Sequence, residues 1–369
     1  MSKDEIHHSE EAIGRSGSVG KRKTCMRHCK RFWWLYLIIT CLAILLIVLL
    51  IIFVGIPRIA QSKLDHVELT VDGITVSNTT PNSYNMAINS TLRSDGKIKA
   101  TVDGFDGVMY LEDLEPHTPF VNLRFPETRS VKLQTVNVSQ PIQIENMEAF
   151  TTFNKWLQAN ESVRVTIKGD THVKVPGISK KFGVVFRNTI TLKGKPDAGL
   201  TFIFVTVVVF VMLTKVQGLN HFNGIEVTEN TISLTPDARG DNFKGWVNIP
   251  NHSVLTLEIG NTTFSNMLNG EDIGTVYIDN LVLHPGINNV SMRANISQAP
   301  VLTAIQGRPY CENGILPFAL RGKDVSNHGQ KLSYFTDALS AGEVITEIDI
   351  GSSLKKSLNL TVSCTGLGQ

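Results

Sequence analysis

Two cysteines and nine Asn-X-Ser/Thr triplets are the residues of this 369-residue chain whose types and spacing imply covalent chemistry. The triplets stand at Asn78, Asn89, Asn137, Asn160, Asn251, Asn261, Asn289, Asn295 and Asn359. One such match is weak, because short motifs arise by chance. Nine of them, all after residue 54, fit an exported chain that carries N-glycans. Cys311 and Cys364 are the only cysteines after residue 54. Two thiols alone in an oxidising compartment tend to pair. A Cys311–Cys364 disulfide is therefore expected, closing a long loop and tying down the last strand. Cys25 and Cys29 precede the first apolar run, where they are either palmitoylation candidates or unmodified thiols.

Chemistry beyond this is sparse. The chain holds no GxSxG, HExxH, Walker-type loop or CxxC pair, and its histidines show no metal-ligand spacing. No enzyme activity, metal or cofactor is expected. "DGFDG", Asp103 to Gly107, resembles a calcium turn but lacks further carboxylates at the right spacing, so a hairpin turn is the expectation. "RGD", Arg239 to Asp241, is read as a solvated loop. The net charge of +2 gives no case for nucleic-acid binding.

The elements that must position these residues begin with a membrane anchor. Phe32 to Val54 carries no charge and is long enough to span a bilayer as a helix. Trp33, Trp34 and Tyr36 lie at one end, where amphipathic rings prefer the interface. Lys21, Arg22, Lys23, Arg27, Lys30 and Arg31 crowd the segment before it. The positive-inside rule then places residues 1–31 in the cytosol as a basic, disordered tail, residues 32–54 as a single-pass type II span, and the rest in a lumen or outside. A cleaved signal peptide fits less well, because the apolar core is too long and no small-residue cleavage site follows.

The exported part repeats. "VELTVDGITV" from Val67 answers "IEVTENTISL" from Ile225, 158 positions on, and "VNVSQP" from Val136 answers "ANISQAP" from Ala294 at the same offset. The reading is two tandem domains, 67–194 and 219–366, with Asn137 and Asn295 at equivalent places. Period-two patterns mark strands: Val67, Leu69, Val71; Val163, Val165, Ile167; Leu255, Leu257, Ile259; Val276, Ile278; and Leu358, Leu360, Val362. "VDG", "SDG", "DGFDG" and "HPG" read as turns between strands. Met147, Phe150, Phe153 and Leu157 fall near helical spacing. The expected fold is a transmembrane helix followed by all-β structure, with two β-sandwiches, each bearing a short helix.

Residues 195–218 contain a second apolar run, Leu200 to Leu213. Runs of this length are more often buried or interfacial than spanning. Three readings stay open: a retained short intron translated in frame, a lumenal apolar linker, or a second membrane span. A true span would put the two copies on opposite sides of the membrane.

With its basic tail, its anchor and tandem β domains containing "GWVNIPNHSVLTLEIGNTTFSNML", the chain resembles the LEA type 2 (water-stress and hypersensitive-response) superfamily. "VNIPN", Val247 to Asn251, resembles that family's NPN-type strand, whereas "INSTL" from Ile88 lacks the proline. The arrangement is similar to fungal DUF3712-type membrane proteins related to vacuolar membrane proteins. The resemblance implies sandwiches of immunoglobulin-like or fibronectin-III-like shape, some relatives holding lipid beside the sheet. It implies a non-enzymatic protein that contacts lipid or membrane at the vacuole or another endomembrane rather than the plasma membrane. Phe150, Phe153, Trp156, Phe264 and Met267 are the candidate groove residues, with plain core packing as the competing reading. The alternative function is a glycosylated cell-surface binding or adhesion protein that recognises protein or cell-wall glycan.

Overall fold

The computed structural model describes residues 20–65, 68–93, 100–160, 162–193, 219, 222, 224–364 and 366–368. The apolar run at 200–213 and the "SDG" motif lie outside the described residues, as do the side chains of Cys25 and Cys29. The chain divides into two units between Ile59 and Ala60.

The first unit is helical. Helix α1 runs Gly20–Leu50 and continues through a π-helical turn at Ile51–Gly55 into α2, Ile56–Asp65. Trp33 to Ser62 is apolar and long enough to cross a membrane, and none of its most apolar stretch is covered by the rest of the protein. Leucines and isoleucines from Leu35 to Ile51 lie about half exposed. A helix that is apolar all round and uncovered is unstable in water and stable in hydrocarbon. By length and composition this helix suggests membrane association.

The second unit is mostly β, with short helices. Its first half contributes β1 (Glu68–Ser77), β2 (Ser83–Arg93), β3 (Thr101–Val102), β4 (Phe105–Leu111), β5 (Val121–Phe125), β6 (Thr128–Arg129), β7 (Leu133–Gln143), α3 (Met147–Ala159), β8 (Ser162–Lys174) and β9 (Lys181–Lys193). The second half contributes β10 (Glu226–Ile232), β11 (Phe243–Asn251), β12 (Leu255–Leu268), β13 (Glu271–Leu283), β14 (Gly286–Ile296), α4 (Gln298–Gln306) and α5 (Tyr310–Asn313). It continues with β15 (Ile315–Asn327), β16 (Gln330–Lys331), α6 (Ser333–Ser340), β17 (Glu343–Asp349), α7 (Ile350–Leu358), β18 (Thr361–Ser363) and β19 (Gly366–Gly368).

Burial follows the strand period closely. In β17, Val344, Thr346 and Ile348 point inward while Glu343, Ile345, Glu347 and Asp349 point out. Helix α3 forms at the expected place: Asn146 caps it by accepting from the Ala149 amide at 2.8 Å, and Phe150 and Leu157 are buried.

The two halves share a pairing order. In the first, β1-β2-β7 form one antiparallel section and β5-β4-β8-β9 another. In the second, β10-β11-β14 and β13-β12-β15-β17 repeat that order. The sections meet differently. A single bridge, Val121 to Ile144, links β5 to the end of β7, whereas β13 and β14 pair over four residues from Gly274 to Tyr277. The halves are also joined to each other. Ile74, Thr75 and Val76 of β1 run parallel to Leu255, Thr256 and Leu257 of β12, so β1, β2 and β7 extend the second half into one 11-stranded sheet. The remaining six strands of the first half form a second sheet.

Strand β12 serves two partners because it bends. Gly260 sits at a break in its ladder with φ +94°, and a Cβ there would meet the Ser326 carbonyl at 2.5 Å. Only glycine meets both conditions. Before the bend β12 pairs with β1; after it, Asn261 to Met267 pair with β15.

Several local expectations change. "VDG" is a bulge within β1, between Val71 and Gly73, with Asp72 accepting from Thr91 Oγ1 at 2.7 Å. "DGFDG" is no hairpin: β3 and β4 both pair with β8, so the motif interrupts one strand line. Leu358 ends α7 instead of starting a strand, because Asn359 adopts a left-handed cap at φ 56°. The spacing between halves also drifts. Strands β1 and β10 begin 158 residues apart, at Glu68 and Glu226, but α3 and α4 begin 151 apart, at Met147 and Gln298. Asn137 therefore lies mid-strand opposite Asn89, while Asn295 lies near the end of β14 opposite Thr275. The constant offset does not align them structurally. A like cross-strand asparagine pair, Asn248 and Asn289, sits on β11 and β14.

Candidate functional site

The sections of the first half splay where β5 and β7 fail to pair, and the space between them is a cavity of about 170 Å³. Its walls follow from the strand alternation. Val71, Tyr84 and Met86 face it from one sheet, and Met109, Leu123, Val165 and Ile167 from the other. Helix α3 supplies Phe150 and Phe153, and the second half closes the space with Leu255 and Leu257 of β12 and Tyr334 and Phe335 of α6. Aromatic rings build the inner end: Tyr84 stacks on Phe150 at 5.6 Å, and Phe150 meets Tyr334 edge-on at 5.0 Å. Burial, and then the neighbouring Tyr334, push the Tyr84 phenol far above its ordinary pKa, and burial does the same for Tyr334. Both stay neutral. Tyr334 donates to the Thr80 carbonyl at 3.0 Å.

The few polar groups on the wall are turned to the backbone. Ser90 Oγ donates to the Val136 carbonyl at 2.8 Å, and Asn154 Nδ2 to the Phe150 carbonyl at 2.8 Å. What remains facing the space is mostly hydrocarbon, and a cavity of this kind stays dry or takes an apolar guest. Toward the solvent end the wall is Leu92, Pro126 and Thr128 to Val131. Val131 and Leu133 are exposed there, the latter 62%, with Arg93, Arg129 and Lys132 exposed alongside.

Of the candidate groove residues, Phe150 and Phe153 line the cavity. Trp156 packs on the core from the same helix without reaching the cavity wall. Phe264 and Met267 belong elsewhere: after the Gly260 bend, even-numbered residues of β12 point inward, so Phe264 is buried in the second half and Met267 points to the other face. One groove does not unite the five. The alternation identified Val71, Val165 and Ile167 as inward residues, but closure by α6 depends on the β1–β12 junction, which leaves no local signal.

That junction is a polar cluster. The Asn78 amide donates to Glu258 Oε2 at 2.6 Å, and Asn327 Nδ2 donates to Glu258 Oε1 at 2.9 Å and to Thr79 Oγ1 at 2.8 Å. Burial raises the Glu258 pKa, but the bonds from Asn327 and the Asn78 amide, with His328 at 3.4 Å, outweigh it and hold the carboxyl below its ordinary value. A depressed carboxylate stabilises the fold fully above its unfolded pKa, and the contribution is lost as pH falls through the folded one. Asn327→Leu is expected to cost about 2 kcal/mol at pH 7, by removing bonds to a charged and a buried acceptor. The cost should shrink in acid. Urea denaturation at pH 7 and below pH 4 checks both, and Glu258→Gln should flatten the acid limb.

The remaining motifs prove structural. Asn251 is 1% exposed, so it is not a glycan acceptor in the folded chain. Its Nδ2 donates to the Leu255 carbonyl at 2.8 Å, and its Oδ1 accepts from the Ser253 amide and hydroxyl. The "VNIPN" asparagine thus shapes the turn that delivers β12 to β1. The other eight sequon asparagines are exposed. Asp241 of "RGD" is no solvated loop residue, because its side chain is 1% exposed and bound to Arg293. Asp103 of "DGFDG" is neutralised by Lys181 at 2.6 Å and Lys174 at 3.6 Å. Among the described residues no cluster of His, Cys, Asp and Glu could hold a metal. Cys311 and Cys364 form a disulfide that ties the β18–β19 hairpin to α5.

These features define a mostly β protein with an N-terminal helix long and apolar enough to cross a membrane and a small apolar cavity. A family model described as "Protein of unknown function (DUF3712)" matches residues 118–266. The comparison with curated proteins finds no match. Among solved structures, the chain is similar to a protein from Archaeoglobus fulgidus at 8% identity and TM-score 0.22, covering 35% of this chain and 96% of that one. It is similar to a putative late embryogenesis abundant (LEA) protein at 12% identity and TM-score 0.23, covering 42% and 88%. It is also similar to a tip adhesin from Pseudomonas aeruginosa at 8% identity and TM-score 0.18, covering 62% and 88%.

Proposed function

We propose that the protein is a non-enzymatic, single-pass membrane protein of the vacuole or another endomembrane. Its β unit lies on the lumenal side, and its first half takes up an acyl chain of a membrane lipid. The observation that carries this reading is the hydrocarbon-lined cavity in a chain that bears a membrane helix. Its volume, about 170 Å³, suits one slender apolar group rather than a whole lipid. The exposed Val131 and Leu133 beside Arg93, Arg129 and Lys132 supply apolar contact and attraction for an anionic headgroup at the solvent end.

The test is native mass spectrometry of the full chain purified in mild detergent, with lipid extraction of the same sample. A bound lipid is expected. Val136→Phe, which adds volume at the cavity wall, should abolish it while the thermal midpoint falls by a few degrees at most, because the ring enters existing space. A parent chain that carries no lipid, or a filled variant that carries as much as the parent, would overturn the reading.

Lumenal orientation rests on the basic segment before the helix and on the exposed sequons after it. Peptide mass spectrometry should find glycans at Asn137 and Asn295 and none at Asn251. Glycan at Asn137 with Asn295 bare, together with a peptide from the 196–215 segment, would mean that the second apolar run crosses the membrane.

A further inference from the structure

A second concave site lies on the outer face of the second half, away from the acyl cavity in its chemistry and its walls. The strand register builds it. Lys244 pairs with Arg293 and Arg293 with Tyr277, while Glu229 and Ser291 pair with Trp246. Paired residues share a face of the sheet, and so do residues two apart, so these side chains form two adjacent rows. Lys356 of α7 overhangs them. The hollow measures about 480 Å³, within the range of small-molecule sites.

Trp246 is 46% exposed on a regular strand, so its indole offers a flat apolar face in a polar hollow. Beside it, Arg293 lies 4.3 Å over the Tyr277 ring and is gripped by Asp279 at 3.1 Å and by buried Asp241 at 3.2 Å. A guanidinium fixed in this way presents its groups without an ordering cost.

We infer that this hollow binds an oligosaccharide. A pyranose ring has apolar C–H faces that pack on an aromatic plane and a rim of hydroxyls that hydrogen-bond to planar carboxylate, amide and guanidinium groups. Trp246 provides the plane; Glu229, Asp279 and Arg293 provide the rim. A nucleic acid fits poorly, because Lys244 is held by Asp237 at 2.8 Å and Arg293 by two aspartates. Arg239 and Lys356 stand at the hollow as well, so a uronic acid is accommodated as readily as a neutral sugar.

The experiment uses the full chain in a detergent without a sugar headgroup, since a glycoside detergent would compete. The chain is treated with an endoglycosidase and applied to an array of neutral and uronic-acid oligosaccharides, and retained sugars are titrated by calorimetry. At least one class should be retained, the two arms telling neutral from acidic ligands. Trp246→Ala should weaken binding about tenfold or more with the thermal midpoint unchanged, as befits an exposed side chain. Glu229→Gln, also exposed, should weaken it severalfold and serves if the first variant loses stability. No retained sugar, or parent-like binding by both variants, would overturn the inference.

Discussion

Arg293→Met should destabilise the β unit by about 3–5 kcal/mol, because it strands a buried carboxylate. Asp241 has a side chain only 1% exposed, and Arg293 Nη1 is the group that reaches both of its oxygens, at 3.3 and 3.2 Å. Methionine keeps most of the arginine stem and its packing on Tyr277, so the loss reports the charge. Asp279 is half exposed and keeps water as an alternative partner. Equilibrium denaturation of the full chain in detergent should show a lower midpoint and an unchanged slope. Asp241→Asn in the same background should recover part of the loss, because the uncompensated charge is gone. Equal losses in the single and double variants would mean that the ion pair contributes nothing and that the arginine acts only by contact. The same pair explains why "RGD" misleads as a sequence. Three letters suggest an exposed ligand loop, but the aspartate points inward to serve an arginine 52 positions away.

Much of the fold was legible because its signals are local. The uncharged run Phe32–Val54 lies in the helix, period-two patterns form the strands, and the spacing of Met147, Phe150, Phe153 and Leu157 forms α3. The candidate site was legible only in part. Phe150 and Phe153 reach the cavity because their helix lies over the splayed sections. Phe264 and Met267 share a short stretch of β12, and alternation alone sends one in and the other out. The β1–β12 pairing spans three residues in each strand and joins segments about 180 positions apart, so no periodicity foretells it. The polar residues that hold it, Thr79, Glu258 and Asn327, are unremarkable letters in sequence. The repeat announced two domains, and the structure shares one sheet between them. The exposed Trp246 was not singled out either, since nothing in "GWVNIPN" says which face of β11 meets solvent.

That shared sheet sets what breaking the Cys311–Cys364 disulfide should do. The bond closes a loop across a separation of 53 residues, and chain-entropy reasoning gives it about 4 kcal/mol of stabilisation. It holds β18 and β19 beside α5, and Cys311 itself is buried. The loop contains β15, α6 and β17. Of these, α6 carries Tyr334 and Phe335, which close the acyl cavity in the first half. Cys311→Ser with Cys364→Ser should therefore lower the thermal midpoint of the whole β unit in a single transition, and bound lipid should be lost at a lower temperature than in the parent. Two transitions, with only one shifted and lipid retained through it, would mean that the halves unfold independently. The β1–β12 pairing and the Glu258 cluster would then be a contact between domains rather than part of one core. A single shifted transition makes the second half a structural wall of the cavity, so that loss of the disulfide at one end of the chain is felt as loss of ligand at the other.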